Sequence, residues 1–480
     1  NIHVTYPYDV CTNKQERSKM SKSKLSLLTC TMMFIGAAML SSCGGDETPS
    51  QPEDKTTVYE ESTVKDGDGN VIETISSITD RGEGVGTITF TKDKTWVLNG
   101  LVFVNSGQTL TVEPGTLIKG KSGQGDNASA LIVSRGGKIM AEGTAAEPIV
   151  MTSETDGGQI PATARGLWGG LIVLGNASLN SSPGESAIEG IPTSETRGLY
   201  GGDNDADNSG SLAYLSIRHG GTDIGAGNEI NGLTLGGVGS GTSVHHIEIV
   251  ANNDDGIEFF GGTVNVSNLC ISYCADDNVD YDEGWRGRAQ FVFVNQDPAA
   301  GDRGGEHDGG TDPEDAQPYA TPMFYNCTYI GNGGKRALTF RDNAGGEYHN
   351  SIFYNWDKGV DIEDLPGDGE DSKKRFDANQ LKIVNNIFYM VAGDDADKLI
   401  VSTSEDTDLN GVNLNGSANS SGNTVADPGL DKGIPTNDVT ATGLSGDAFI
   451  QNVAYKGAFE PGKDAWIKGW TKTDQDGLIK

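Results

Sequence analysis

A repeat of 22 residues in the segment 244–283 limits the folds open to this chain more than any other feature. Residues 247–249 align with 269–271, and residues 254–259 align with 276–281. Apolar positions meet apolar positions, and carboxylates meet carboxylates. A period this short, built from strand-like pieces with no helical pattern, is typical of a parallel β-solenoid, in which each coil stacks on the last. The sequence therefore predicts an all-β parallel solenoid.

The composition agrees with this prediction. Glycine makes up 68 of 480 residues, and runs rich in Val, Ile and Thr alternate with Gly, Asn and Asp, as in strands joined by turns. Short apolar strands continue on both sides of the repeat. We predict five parts: an upstream segment with a lipoprotein signal peptide (1–42), an acidic flexible tether (43–56), an N-terminal hairpin or cap (57–95), a parallel β-helix with excursions at 178–210 and 284–322 (96–390), and an irregular C-terminal layer and cap (391–480).

The start of the chain carries the features of a secretory signal. Lys22 and Lys24 precede the apolar run 25–39, and small residues lead to Cys43. A basic segment, a short apolar segment and a small-residue cleavage site make a signal peptide. The residues before Cys43 resemble the bacterial lipobox, which implies that Cys43 is lipidated. The acidic stretch after it resembles the signal that takes some Gram-negative lipoproteins to the outer face of the outer membrane.

The repeat also stacks acidic residues on one another. Strands of neighbouring coils lie about 4.8 Å apart, so aligned side chains become near neighbours. The stacked pairs are Asp254 with Asp276, Asp255 with Asp277 and Glu258 with Asp280. Carboxylates this close repel, so one of them must hold a proton, gain a cation or meet Lys or Arg.

A basic group follows the acidic one when the register is carried across 284–322 with a shift of 59. The stacked pairs are then Lys335 on Asp276, Arg336 on Asp277 and Arg341 on Asp282. We take the three basic residues, together with Trp285, as the candidates for contact with a ligand.

Three interpretations of these columns remain open. The first is an ion-pair ladder that only holds the coils in register. The second is a Ca²⁺ site, because Ca²⁺ prefers carboxylate oxygens. The third is cleavage of a glycosidic bond by paired carboxylates, one as acid and one as base, with basic residues holding an acidic sugar. The candidate Ca²⁺ ligands are Asp254, Asp255, Asp276, Asp277 and Asp280.

The coils resemble the right-handed parallel β-helix of the pectin-lyase-like proteins. Within them, the residues 253–256, Asn-Asp-Asp-Gly, are followed 20 residues later by a second pair of aspartates. This spacing resembles that of the polygalacturonase family, and the resemblance implies that Asp255, Asp276 and Asp277 are catalytic carboxylates. The fold we expect is a right-handed parallel β-helix with an irregular C-terminal layer.

A second resemblance concerns the whole chain. The lipobox at Cys43, the β-helix, the segment 276–290 and the aromatic C-terminal segment together resemble a group of uncharacterised Gram-negative surface lipoproteins. The resemblance implies a location at the outer membrane and this fold. It implies no particular activity.

Smaller expectations concern other residue groups. His245 and His246 are consecutive, so on a strand they should face opposite ways. The segment 306–308, Glu-His-Asp, should lie in a solvated loop. Cys270 and Cys274 should be buried as small hydrophobic residues rather than joined in a disulfide. The aromatic residues of 455–470 should cover the last coil, since an open solenoid end must be capped.

The net charge of −33 argues against a nucleic-acid partner. We expect a lipid-anchored, surface-exposed protein that binds an extracellular polymer, a polysaccharide, on the face formed by 247–363, with Ca²⁺ as a possible cofactor. The alternatives are a polysaccharide-degrading hydrolase or lyase and a structural or adhesive surface protein. An outer-membrane transporter is a further candidate partner.

Overall fold

The computed structural model describes residues 55–189, 191, 194–225, 228–310, 313–366, 370–404 and 411–479. The signal peptide, the lipidation site Cys43 and most of the tether lie outside the described residues. Among the described residues, no helix is long and apolar enough to cross a membrane.

Most of the described chain forms two long sheets. The strands of the first sheet are Val58–Lys65, Val71–Thr79, Ile88–Phe90, Thr95–Leu98, Thr109–Val112, Leu117–Gly120, Lys138–Glu142, Ile149–Ser153, Gly210–Arg218, Ser243–Val250, Asn265–Ser272, Arg288–Asn295, Met323–Tyr325, Thr328–Ile330, Gly346–His349, Ile352–Trp356, Leu381–Val384, Ile387–Val391 and Thr424–Val425. The strands of the second sheet are Leu101–Val104, Ala130–Val133, Leu171–Leu174, Leu233–Gly236, Ile257–Phe260, Val279–Asp282, Gly305–Asp308, Arg336–Arg341, Lys358–Glu363, Ile400–Thr403 and Val412–Asn413.

The remaining elements are short. Three two-stranded ribbons pair Ser186–Ala187 with Leu199–Tyr200, Asp223–Gly225 with Asn228–Glu229, and Leu430–Asp431 with Ile434–Pro435. The α-helices are Ser372–Asp377 and Lys472–Gln475. The 3₁₀ turns are Gly125–Asn127, Thr196–Gly198, Ala392–Asp394, Ala396–Lys398 and Ala418–Ser420.

Strand pairing follows the 22-residue register predicted from the sequence. In the first sheet Ile247 lies beside Leu269, and in the second sheet Glu258 lies beside Asp280, both in parallel pairs. Each coil adds strands to both sheets, and its inward side chains form one apolar core that runs the length of the solenoid. The chain is therefore an all-β, right-handed parallel β-helix, as predicted.

The solenoid extends beyond the predicted bounds of 96–390. At the N-terminal end, the antiparallel hairpin of Val58–Lys65 and Val71–Thr79 joins the first sheet, because its second strand pairs in parallel with Thr95–Leu98. At the other end, Ile400–Thr403 pairs in parallel with Lys358–Glu363.

The segment 284–322 is not a simple excursion, and this prediction is wrong. It supplies Arg288–Asn295 to the first sheet and Gly305–Asp308 to the second. His307 is fully buried in the core, stacked on Tyr281 at 4.3 Å between ring centroids, with its Nε2 2.8 Å from the Tyr348 hydroxyl. The Glu-His-Asp segment is therefore a strand and not a solvated loop. The polar residues of this strand give no apolar alternation from which a strand could be predicted.

In the coils from Tyr214 to Asn385, one corner is a residue with left-handed backbone. These residues stack in a column, with φ between 47° and 61°, and are Tyr214, His246, Asn268, Phe291, Asn326, Asn350 and Asn385. Asn tolerates this conformation better than most residues. The bend at His246 also brings its Nδ1 to 3.1 Å from that of His245. The expectation that the two rings face opposite ways is wrong, because it assumed a regular strand.

The C-terminal strap, residues 426–479, runs back along the outer face of the first sheet. The backbone N–H of Gln451 donates to Gln290 Oε1 at 2.9 Å, and that of Ala458 donates to Thr328 Oγ1 at 2.9 Å. Trp470 reaches Tyr214, at 5.4 Å between ring centroids. The aromatic residues of the strap therefore pack on the side of the solenoid and do not plug its last coil.

The strap ends on a buried carboxylate. Glu248 is fully buried and accepts hydrogen bonds from the backbone N–H groups of Lys472 (2.9 Å) and Thr473 (2.7 Å). Beneath the strap lies Cys270, which is free and buried, as are Cys274 and Cys327. The prediction for Cys270 and Cys274 is thus confirmed.

We expect Glu248→Ala to loosen the strap. The substitution leaves two buried N–H groups without an acceptor, at a cost of about 1–3 kcal/mol each. The thiol of Cys270 should then react with a thiol reagent under native conditions, as measured by mass spectrometry. Glu142→Ala, at an exposed strand residue, is the control. Protection of Cys270 equal to that in the unaltered protein would contradict this account of the strap.

Candidate functional site

Acidic side chains line the outward face of the second sheet. Along Ile257–Phe260 and Val279–Asp282, inward apolar residues alternate with outward Glu258 and Asp280. The turn before each strand adds a pair of aspartates. We call the set of outward carboxylates the acidic face; its members are Asp254, Asp255, Glu258, Asp276, Asp277, Asp280, Asp282, Glu306 and Asp308.

Three groups of carboxylates on this face bring their oxygens within 4.8 Å of one another. The groups are Asp254 with Asp255 and Asp276, Asp255 with Glu258 and Asp280, and Asp276 with Asp277 and Asp302. All five candidate Ca²⁺ ligands occur in these groups. They do not form a single shell, and Glu258 and Asp302, which the sequence analysis did not include among the ligands, complete two of the groups.

Burial divides the predicted catalytic carboxylates. Asp255 is 7 % exposed and Asp277 only 1 % exposed, whereas Asp276 is exposed to solvent. The carboxylate of Asp255 accepts a hydrogen bond from the backbone N–H of Asp277 at 2.8 Å, and that of Asp277 accepts one from the N–H of Arg303. Asp276 is therefore the one of the three that a ligand reaches most directly.

The acidic face favours protonated carboxyls. Burial, followed by neighbouring carboxylates, raises the pKa of Asp255, Glu258, Asp277 and Asp280 well above the ordinary value. The same two causes raise the pKa of Asp254 to about 7. A carboxylate group with such pKa values holds protons or takes up a cation near neutral pH.

The group around Glu258 and Asp280 fits a hard cation. Its donor atoms are all oxygens, which Ca²⁺ prefers. Asp280 Oδ1 is buried and has no hydrogen-bond partner among the described residues, and the same holds for Oδ1 of Asn231, whose amide nitrogen donates to Glu258. Buried oxygens are rarely left without partners, so these two are suited to a bound cation.

Arginines balance the carboxylates in the following coils. The Arg341 guanidinium binds Asp308 with two hydrogen bonds of 2.7 and 3.0 Å and lies 2.8 Å from Glu306. The Arg303 guanidinium lies 3.0 Å from Glu306 and 3.5 Å from Asp277. Arg303 could not be recognised from the sequence, because it lies in the coil that the sequence predicts as an excursion. That coil also separates Arg341 from Asp282, so the predicted shift of 59 spans two coil steps.

Basic and acidic side chains mix where the face ends, since Arg336 lies 4.0 Å from Asp361 and Asp357 precedes Lys358. Lys335 Nζ lies 3.1 Å from Asp302, and Arg336, which is 5 % exposed, stands beside Lys358 in the next strand. Arg336 and Lys358 line a cavity of about 470 Å³. The structure therefore places Lys335, Arg336 and Arg341 on one face with the carboxylates.

Trp285 does not belong to this face, and its prediction as a ligand contact is wrong. Its side chain is fully buried and stacks on Phe259 at 3.8 Å between ring centroids, inside the core. Trp285 closely follows the strand Val279–Asp282 in sequence. Its side chain nevertheless points into the core, because the chain bends at Glu283 and Gly284, which both have positive φ.

The segment 178–210 forms one wall of the site. Leu179, Ile188 and Tyr200 pack on the outward apolar residues of the preceding strands of the second sheet. The Tyr200 hydroxyl donates to Glu283 Oε2 at 2.8 Å. This segment thus covers the sheet before the acidic face begins and leaves the carboxylates beside it.

We expect the stability of the protein to fall between about pH 5 and pH 8, in part because of Glu363. Burial raises the pKa of Glu363 from 4.5 to about 7; the hydrogen bond from the backbone N–H of Asp342 opposes this rise, and the charge of Asp342 adds to it. A raised carboxyl pKa stabilises the folded state below the unfolded pKa, and this stabilisation is lost as the pH rises through the folded pKa.

Glu363→Gln keeps an acceptor for the N–H of Asp342, which lies 2.9 Å from Glu363, and removes the titration. At pH 8 the variant should melt about 1–3 °C above the unaltered protein, and this difference should vanish near pH 4. Glu83→Gln, at an exposed residue, is the control. A difference that does not change with pH would refute the assignment to Glu363.

A family model described as a pectate-lyase-like β-helix domain matches residues 82–471. No curated protein and no solved structure matches the chain. The matched span covers both sheets almost completely, the acidic face and most of the strap. The match supports a function related to polysaccharides, and the chain belongs to the family of pectate-lyase-like β-helix domains.

Proposed function

We propose that the protein binds an extracellular polysaccharide on the outward face of the second sheet. The observation that carries this proposal is the change of charge along the face. Carboxylates dominate from Asp254 to Asp282, arginines pair with them in the next coils, and the exposed Lys335 and Lys358 follow among further carboxylates. An extended polymer lying across the coils meets both kinds of group in turn.

A divalent cation, Ca²⁺, forms part of this proposal. Asp255, Glu258 and Asp280 would hold it, with the unpartnered oxygen of Asn231 nearby. A bound cation would offset the repulsion among these carboxylates and would add a positive centre to which sugar oxygens bind. The neighbouring group that contains the exposed Asp276 is a second candidate for the same ion.

The second candidate function is cleavage of the polysaccharide. The observation that favours it is the pair Asp254 and Asp276, which bring oxygens within 4.8 Å of each other at the open edge of the face. Burial and neighbouring carboxylates raise the pKa of Asp254 to about 7, which suits a carboxyl that donates and takes up protons near neutral pH. A structural or adhesive role remains the third alternative, supported by the two-bond ion pair of Arg341 with Asp308.

We propose further that a lipid on Cys43 anchors the chain to the outer membrane, with the β-helix at the cell surface. The support is the lipobox-like sequence, the preceding apolar run 25–39 and the acidic stretch that follows. An outer-membrane transporter that imports the bound glycan is a fitting partner for a protein in this position.

Affinity electrophoresis tests the binding function. The protein beginning at Gly44 is run through gels that contain neutral or acidic polysaccharides, and reducing-end release from the same polymers is measured. We expect retardation by at least one polymer, little release, and binding about tenfold weaker in Asp276→Asn or with EDTA. Asp93→Asn, at an exposed aspartate between Ile88–Phe90 and Thr95–Leu98 of the first sheet, is the control.

The other outcomes separate the alternatives. Release that disappears in Asp276→Asn would favour the enzyme. Neither retardation nor release with any polymer would favour the structural role and contradict the proposed function.

Cys43→Ala tests the anchor. In a Gram-negative host, the full chain should partition with the detergent phase and take up labelled fatty acid, because a lipid chain supplies the membrane affinity. The variant should lose the label and enter the aqueous phase. Labelling that persists in Cys43→Ala would exclude this cysteine as the lipidation site.

A further inference from the structure

A second pocket lies away from the acidic face, where the strap crosses the turns that follow the first sheet. Its volume is about 510 Å³, within the range of small-molecule sites. Its walls come from residues at or next to the ends of four neighbouring strands, Asn265–Ser272, Arg288–Asn295, Thr328–Ile330 and Ile352–Trp356, and from Leu430, Leu478 and Ile479 of the strap. In register, Asn295 lies beside Ile330, and Ile330 lies beside Tyr354.

The lining of this pocket carries no charged side chain among the described residues. An uncharged lining sets this pocket apart from the rest of a chain whose net charge is −33. Its polar lining consists of two tyrosines and four amides: Tyr273, Asn295, Gln296, Asn332, Tyr354 and Asn355. An aromatic ring beside side-chain amides is suited to bind a ligand with a neutral, hydroxyl-rich ring. The aromatic ring packs against the C–H groups of the ligand, and the amides donate hydrogen bonds to its hydroxyls or accept them.

The amides are held in place by the backbone. Asn355 Nδ2 donates to the carbonyl of Gly331 at 3.0 Å, and Gln296 Nε2 donates to that of Asp302 at 3.0 Å. Asn332 Nδ2 donates to the carbonyl of Asp297 at 2.9 Å. Asn332 Nδ2 also donates to the carbonyl of Ala300 at 3.1 Å, so Asn332 keeps only acceptor capacity, whereas Gln296 and Asn355 each keep one N–H donor for a ligand. Groups fixed in advance lose little entropy on binding.

The strap side of the pocket is held only weakly. The Tyr273 hydroxyl and Asn295 Nδ2 both donate to the carbonyl of Leu478, each at 3.4 Å. Hydrogen bonds of this length are at the edge of the normal range. A ligand hydroxyl can therefore replace either of them at small cost.

We propose that this pocket binds a neutral sugar residue, with the ring of Tyr354 as its stacking surface. Tyr354 is half-buried and lies in register between Ile330 and Tyr389, in one column of side chains, 6.0 Å from Tyr389 between ring centroids. The site is separate from the acidic face and does not depend on the function proposed for it. It would give the protein a second point of attachment to a glycan.

The test uses the full chain and four neutral probes, namely cellohexaose, maltohexaose, mannohexaose and xylohexaose, with binding measured by calorimetry. We expect at least one probe to bind and Tyr354→Ala to weaken it about tenfold, since stacking on an aromatic ring dominates such sites. Tyr389→Ala removes the neighbouring tyrosine of the same column outside the pocket and should change binding by no more than about twofold.

Two further variants make the result decisive. Leu430→Trp fills the pocket from its other wall and should abolish binding without removing Tyr354. Binding that falls in Tyr354→Ala and Leu430→Trp but not in Asp276→Asn is assigned to this pocket, whereas binding that falls only in Asp276→Asn belongs to the acidic face and overturns the proposal. The proposal is overturned if none of the four probes binds. It is also overturned if Tyr354→Ala and Leu430→Trp bind a probe as tightly as the unaltered protein does.

Discussion

In-register stacking of parallel coils is the constraint on which this molecule depends. Each side chain meets the equivalent side chain of the next coil about 4.8 Å away. Apolar residues gain from this arrangement, because the columns of Ile, Leu, Val and Phe form one continuous core. The same arrangement is unfavourable for carboxylates, because Glu258 must lie beside Asp280, and Asp280 beside Glu306, where like charges repel.

The chain resolves this repulsion differently at the two ends of the face. In the later coils, the guanidinium groups of Arg303 and Arg341 stand within 3.0 Å of Glu306, so that the charges are balanced within the protein. In the earlier coils, the carboxylates are grouped with one another, and oxygens of Asp280 and Asn231 have no partner among the described residues. The unbalanced end is where a cation or a ligand would stabilise the protein most.

The periodic part of the fold could be predicted from the sequence. The 22-residue register and the stacking of Asp255 on Asp277 follow from spacing alone, because a parallel ladder converts spacing into contact. The coil at Gly305–Asp308 could not be recognised, since its outward Glu306 and Asp308 and its inward His307 give no apolar alternation. Trp285 was misplaced for a related reason, because a turn with positive φ, at Glu283 and Gly284, reverses the direction that a strand would give. The path of the strap depends on contacts far apart in sequence, such as Lys472 with Glu248, which no local pattern reports.

The central claim is that the early carboxylates form a cation-dependent binding face rather than a purely architectural ladder. Calcium titration by calorimetry at pH 7.5, on the protein beginning at Gly44, tests it most directly. The account predicts saturable binding that stabilises the protein against heat, and loss of both effects in Asp280→Asn. Absence of binding heat, together with a melting temperature unchanged by either Ca²⁺ or EDTA, would contradict it and leave the carboxylates as structural elements of the solenoid.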